Sequence, residues 1–299
     1  VENRKFVAVP HKTFIALLLL TGTVCLSLTI PANLQFSQLL GINRSKIKEV
    51  NAEANNQQKF AEFQTAMEAS LNEQFKRQNL LSGAPTSFNG KIIYDIKPAV
   101  NKKVIALTFD DGPWENTTTQ ILNILKQNNI KATFFVVGSA LQNNPELGKQ
   151  IVTEGHVIAN HTWNHWYHFM NPQAAAFEID QTTKLIYKLT GVKTNLFRPP
   201  GGHLSNGLVA YARSKNYATL MWSADSRDFQ QPPPATMVNT VLEYARPGGI
   251  VLLHDGGGDR TKTVQALPQI ITKLQQQGYS FVTIPELLEM EKMSEKSEK

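Results

Sequence analysis

Cysteine is almost absent: Cys25 is the single one in 299 residues. No intramolecular disulfide can form and no cysteine cluster can hold a metal, so any metal must be held by histidine and carboxylate. Charge of either sign is missing between Lys12 and Arg44. A strong basic excess is missing too. The net charge is +6; the first 99 residues hold 11 Lys+Arg against 7 Asp+Glu, and the remaining 200 hold 19 against 17. The larger part is therefore nearly balanced, which argues against a nucleic-acid groove and against a nucleic-acid partner. The mild excess near the N-terminus suits anionic lipid or an anionic wall. No internal repeat interrupts the chain.

The charge-free stretch has a direction. Arg4, Lys5 and Lys12 precede an apolar run from Phe14 to Ile30. About 20 residues from Thr13 span a hydrocarbon core of about 30 Å at 1.5 Å per residue. Basic residues ahead of the run predict an inside N-terminus and a catalytic part outside the cytoplasm. Residues 1–34 are thus expected to be a signal-anchor, membrane partner of the chain, or a cleaved segment of a secreted one. Cys25 follows Thr23-Val24 and matches a lipoprotein site poorly. From Arg44 the composition turns to Asn, Gln, Glu, Lys and Ala. Phe60, Phe63, Met67, Leu71 and Phe75 recur every three or four residues, the stripe of an amphipathic helix. Residues 35–99 are read as a helical stalk and linker, with Gly83 and Pro85 marking the linker.

Beyond residue 100, short apolar runs alternate with helical spacing. Strands are expected at Val104–Phe109, Thr133–Val137, His156–Ala159, Asn195–Phe197, Ala218–Trp222, Ile250–Leu253 and Ser280–Thr283. Helices are expected between them, for example over Thr117–Asn128, Pro145–Glu154 and Gln173–Thr190, the last two stopped by Gly155 and Gly191. This alternation predicts an α/β fold of about seven parallel strands, either a barrel or a doubly wound sheet, over residues 100–290. Residues 291–299 read as a charged tail. Either architecture gathers its chemistry at the C-terminal ends of the strands.

Four strand ends carry reactive groups. Thr108-Phe109-Asp110-Asp111-Gly112-Pro113 sets two carboxylates side by side before a turn; a cation between them relieves their repulsion, although a solvated turn explains the fragment as well. Asn160-His161-Thr162-Trp163-Asn164-His165 places two histidines four apart, able to face one point if the segment makes one helical turn. With one aspartate they form a two-histidine, one-carboxylate set that leaves positions open on a metal. Phe197-Arg198-Pro199-Pro200-Gly201-Gly202 offers a guanidinium suited to a bidentate grip on a carboxylate, in a stiff turn. Leu252-Leu253-His254-Asp255-Gly256 offers an acid or a structural histidine. Asp225 and Asp228 end a further strand.

In order and spacing these runs resemble the polysaccharide deacetylases of carbohydrate esterase family four. That family carries Thr-Phe-Asp-Asp-Gly, His-Ser/Thr-x-x-His, Arg-x-Pro-aromatic-Gly, Asp-x-x-Asp-Trp and Leu-x-His. The first, second and fifth are intact here. Two depart: Gly201 stands where the family has an aromatic, which removes a wall for the sugar, and Phe229 replaces the Trp. The resemblance covers about residues 100–290 and implies a distorted (β/α) barrel. It implies that Asp111, His161 and His165 hold a divalent metal, zinc by its donor set, and that Asp110 is the base. Arg198 orients Asp110, the Gly201 N–H serves the oxyanion, and Leu252 lines the acetyl pocket. His254 is the acid, kept protonated by Asp228. The implied activity is hydrolysis of N-acetyl groups on a cell-envelope polysaccharide, N-acetylglucosamine of peptidoglycan first. Chitin oligosaccharides or O-acetyl esters of xylan-like glycans are the alternatives, and a catalytically inactive wall-binding protein is a second alternative.

Overall fold

The computed structural model describes residues 59–68, 83–97 and 102–297. The chain divides into two compact units, Val1–Thr65 and Ala66–Lys299. The expected anchor at 1–34 and most of the expected stalk lie outside the described residues. Residues 59–68 are helical, as the stripe predicts, and Phe60, Phe63 and Met67 are exposed. Leu71 and Phe75 are outside the described residues. Among the described residues, no helix is long and apolar enough to cross a membrane.

The larger unit is built on one sheet whose strand pairs are all parallel. Its strands are β1 (Ile92–Ile93), β2 (Val104–Asp110), β3 (Thr133–Val136), β4 (Val157–Asn160), β5 (Leu196–Phe197), β6 (Ala218–Leu220), β7 (Ala224–Asp225), β8 (Gly249–His254) and β9 (Ser280–Phe281). The order is β1-β6-β5-β4-β3-β2-β8-β7, and β9 pairs with the start of β2. Past β1, Asp95 makes an antiparallel bridge to Gly249, and the Ile96 N–H donates to Gly248 O at 3.0 Å. The segment following the first strand of the path thus reaches β8, next to last on the path, and the sheet curls into a distorted barrel. The expected seven strands are all present. The two additional ones, β1 and β7, are two residues each, too short to show a period. The first of them falls before residue 100, within the stretch read from the sequence as stalk and linker.

Alternation along the strands sorts their side chains between two cores. On β2, Ile105, Leu107 and Phe109 join the cluster packed under the helices, whereas Val104 and Ala106 join the inner one. Thr108 and Asp110 share parity with the inner residues. On β8, Val251 and Leu253 face outward and Ile250 faces inward, so Leu252 and His254 follow it. All seven residues of β2 are buried, the pattern of a strand covered on both faces. Each fully buried Leu, Ile or Phe contributes about 1.5–3 kcal/mol relative to exposure.

The helix Pro172–Thr190 shows why the chain folds locally as it does. Pro172 sits at its first position, Asn171 caps it by accepting from the Ala174 N–H at 2.9 Å, and Gly191 ends it at φ 73°. Two helices escaped the periodicity, Gly138–Asn143 and Ile284–Ser297. The second runs past residue 290, and its Ile284, Leu287 and Leu288 join the inner cluster with Val104 and Val157.

Candidate active site

Strand register places the reactive groups on one level. Asp110 pairs with Phe135 on β3 and with His254 on β8; Val136 pairs with Asn160, and Asn160 with Phe197. The strand ends carrying Asp110, His161, Arg198 and His254 therefore emerge together. Asp110, Asp111, His161, His165, Gly201, Leu252 and His254 all line one open cleft of about 1310 Å³. That exceeds the roughly 300–1,000 Å³ of small-molecule pockets and leaves room for a polymer segment. Arg198 and Asp228 stand behind its wall, both buried.

Asp111, His161 and His165 bring one ligand atom each within 4.8 Å of one another. His165 Nε2 lies 3.0 Å and His161 Nε2 3.4 Å from Asp111 Oδ1. Asp111 Oδ1 is nevertheless one of three buried side-chain N or O atoms without a hydrogen-bond partner among the described residues. Convergent donors around an unpartnered buried oxygen are what a cation site requires. His161 Nδ1 contacts the Arg198 carbonyl at 2.7 Å, which assigns the proton to Nδ1 and leaves the Nε2 lone pair facing the cluster. Burial opposes charge on Asp111, but the two imidazoles outweigh it and hold the carboxyl well below its usual range.

The segment between the histidines is not a helical turn, contrary to the expectation. It is a loop in which Thr162 and His165 take positive φ, 69° and 59°, as does Asp111 at 76°. Such backbone costs of order 1–3 kcal/mol per residue and persists only where neighbours enforce it. Here Asn160 Oδ1 accepts from the Thr162 N–H at 2.8 Å, and Glu178 Oε2 accepts from the Trp163 and Asn164 N–H groups at 2.9 and 2.8 Å. Glu178 Oε1 takes the Asn164 amide at 2.6 Å. Gly257 runs beside Asp111: a Cβ there would meet Asp111 Oδ2 at 2.5 Å. Arg260 braces that glycine segment, donating from Nε to Gly256 O at 2.7 Å.

Two ion pairs flank the cluster. Arg198 Nη1 donates to Asp110 Oδ1 at 2.8 Å and to Thr108 Oγ1 at 2.8 Å. Its Nε and Nη2 bind the Leu220 and Met221 carbonyls at 3.0 Å, and the guanidinium lies 4.1 Å from the Phe135 ring centroid. The bidentate grip expected from the sequence is therefore a single contact, because the other donors are spent on β6 and the residue after it. Burial lowers the Arg198 pKa while Asp110 opposes that shift. On the other flank, His254 Nδ1 donates to Asp228 Oδ1 at 2.6 Å. Asp228 Oδ2 accepts from the His254 N–H at 2.8 Å and from Thr263 Oγ1 at 2.9 Å. Burial disfavours the imidazolium, but Asp228 prevails and pushes the His254 pKa up to about 9.

Other participants left little or no trace in the motifs. Asp255 accepts from the Gly112 N–H at 3.1 Å and from Thr118 Oγ1 at 2.6 Å, bracing the aspartate turn. Its burial, with Asp111 and Asp110 nearby, raises its pKa to about 7. Glu178 did leave a signal: it shares the buried face of its helix with Ala175, Ile179 and Thr182, an acidic residue on an apolar stripe. Trp114 stands at the N-cap of the helix Glu115–Gln127, and its N–H donates to Thr118 Oγ1 at 2.8 Å. Phe229 lines the cleft half-exposed, its ring 6.2 Å from that of His254. Beside Gly201, where the sequence lacks an aromatic, lies the ring of Tyr167.

Residues 97–220 match the family model described as polysaccharide deacetylase. A peptidoglycan-N-acetylglucosamine deacetylase of Bacillus cereus is 45% identical over 191 residues, 63% of this chain and 89% of the relative. The structure of the peptidoglycan deacetylase PdaC from Bacillus subtilis superposes with a TM-score of 0.60 at 36% identity, covering 66% of this chain and 96% of that one. A family four pseudoenzyme from Bacillus anthracis is also similar, with a TM-score of 0.61 and 32% identity over 67% of this chain and 69% of that one.

Proposed function

We propose, for a chain that belongs to the polysaccharide deacetylase family and is a deacetylase, that its substrate is the N-acetylglucosamine of peptidoglycan. The name of the relative in Bacillus cereus supports that choice, whereas PdaC of Bacillus subtilis, named as a peptidoglycan-N-acetylmuramic acid deacetylase, supports peptidoglycan but the other sugar. One observation carries the chemistry: a convergent Asp111, His161 and His165 set beside a carboxylate with a buried cation and a histidine with a buried carboxylate, all on one cleft.

The three ligands fit a divalent metal, and their nitrogen and oxygen donors favour zinc. Such an ion supplies Lewis acidity toward the acetyl carbonyl. The remaining work belongs to the chain. Asp110 takes the proton of the attacking water; its ion pair with Arg198 aims the carboxylate. The Gly201 N–H stabilises the developing oxyanion. His254 gives its Nε2 proton to the departing sugar amine, and Asp228 keeps that proton in place. A positioned acid or base of this kind contributes typically about 10²–10⁴-fold. Leu252, buried at the cleft wall, receives the acetyl methyl.

Arg4, Lys5 and Lys12 before the apolar run support a membrane-anchored chain with this domain outside the cytoplasm, where peptidoglycan is. The test is acetate release from purified peptidoglycan, chitin oligosaccharides and acetylated xylan, with metal content measured in parallel. Fastest release from peptidoglycan is expected. Preference for acetylated xylan overturns the N-acetyl reading, and bound metal without release from any of the three overturns the enzymatic one.

A further inference from the structure

Gly201 and Tyr167 occupy one another's space. Gly201 has φ +58°, and an ideal Cβ built there would lie 2.8 Å from Tyr167 Cε1 and 3.2 Å from Tyr167 Cδ1. Real Cβ atoms do not approach that closely, so the phenol ring rests on the bare face of the glycine. The ring stands edge-on to His165, with centroids 5.1 Å apart at 86°, and to His203, at 5.6 Å and 77°. It is 54% exposed and lines the same cleft as Gly201, His161 and His165. The chain reaches it through the strained His165, and Met170 N–H donates to Asn206 O at 2.8 Å, tying the end of this loop to the segment after the Gly201 turn.

We propose that Tyr167 is the sugar-contacting wall on the Gly201 side of the cleft, a specificity-determining residue presented by the histidine loop rather than by the Gly201 turn. The inference rests on the polysaccharide reading above. A phenol ring offers a flat apolar surface to the C–H face of a pyranose and a hydroxyl to its polar edge. Tyr167 is rigidly seated, because two imidazoles and a glycine border it, yet open toward the cleft. A side chain at 201 would exclude the ring, so glycine at 201 and the aromatic at 167 are one device. Placement beside Gly201 puts the wall next to the reacting acetyl group, where it selects which sugar, and which neighbouring substituent, can enter.

The test uses the full chain loaded with zinc and a tetramer of N-acetylglucosamine as substrate. Tyr167→Ala is expected to raise KM about tenfold, a loss of one aromatic contact, with kcat within about threefold and zinc content unchanged. Tyr167→Phe is expected to stay near the wild type. An unchanged KM in Tyr167→Ala overturns the proposal. So does a KM rise accompanied by zinc loss, which would make the ring a buttress for His165, and so does a Tyr167→Phe variant as impaired as Tyr167→Ala. A second readout needs no activity. Gly201→Ala should lower the melting temperature of the wild type by more than that of Tyr167→Ala, since backbone strain is common to both backgrounds and only the ring contact differs. Equal shifts overturn the mutual exclusion. A wild type that releases acetate from neither the tetramer nor purified peptidoglycan overturns the polysaccharide reading itself and this inference with it, whereas acetate release from either with an unaltered Tyr167→Ala on that substrate overturns this inference alone.

Discussion

Two buried ion pairs, Asp110–Arg198 and His254–Asp228, stand on neighbouring strand ends and run in opposite senses. In the first the carboxylate faces the cleft and the cation is the brace. In the second the cation faces the cleft and the carboxylate is the brace. The brace is the deeper partner each time: Arg198 has 0% of its side chain exposed against 4% for Asp110, and Asp228 0% against 13% for His254. Each brace also holds further bonds, Arg198 to Thr108 and two carbonyls, Asp228 to Thr263 and a backbone N–H. A buried charge anchored at several points cannot swing, so its partner is held in one orientation. One physical device thus yields a proton acceptor on one strand and a proton donor on the next.

The largest expected effect separates the first pair from the metal ligand beside it. Asp110→Asn should keep bound metal and lose turnover by about 10² or more, because the three ligands remain while the base is gone. Asp111→Asn should lose metal affinity together with turnover. Metal content and acetate release measured side by side decide it, and the opposite pattern would exchange the two roles.

Removing the brace of the first pair tests stability as well. Arg198→Ala leaves Asp110 buried without its cation and the Leu220 and Met221 carbonyls without their donors. Breaking a buried pair in this way costs about 3–5 kcal/mol, so urea unfolding should show a drop of that order. Arg198→Lys should not restore it, since an ammonium cannot reach Thr108, Asp110 and both carbonyls from one planar fork. An unaltered unfolding midpoint would show that Arg198 is not the brace its contacts describe.

The smallest effect is a shift in pH. His254 has a folded-state pKa raised to about 9 from 6.5. A raised pKa contributes stability that is fully present below about 6.5 and is lost as pH rises through about 9. The acid is correspondingly available up to about pH 9, so the alkaline limb of kcat/KM should lie there. In Asp228→Asn the main raising partner is gone, and burial, the largest influence on the group, opposes the weaker pull of Asp110 and Asp111, so the limb should move to lower pH. A limb that stays in place would remove Asp228 from control of the proton.

The order of the motifs, the alternation of strands and helices, and the reactive residues at four strand ends are legible in the chain without coordinates. Local constraints write them: buried parallel strands demand continuous apolar runs, strand ends demand turns, and metal chemistry demands a few residue types. Asp110 and Asp111, or His161 and His165, can be picked out because each pair lies within a few residues. What joins them is not local. Glu178 reaches the histidine loop from a helix 14 residues onward, and Asp255 braces a turn 143 residues before it. Arg198 spends its donors on β2, on β6 and on the residue beyond it, a pattern that strand order alone allows. Residues 161–165 have the spacing of a helical turn and yet form a strained loop, because Glu178 and Asn160 satisfy its backbone. Gly201 in sequence is an aromatic lost; in the folded chain its missing side chain is the space into which Tyr167 fits. Sequence determines which chemistry is available, since that depends on residue type and near neighbours. Register and packing between distant segments decide which groups meet, which charge is braced, and which ring forms the wall.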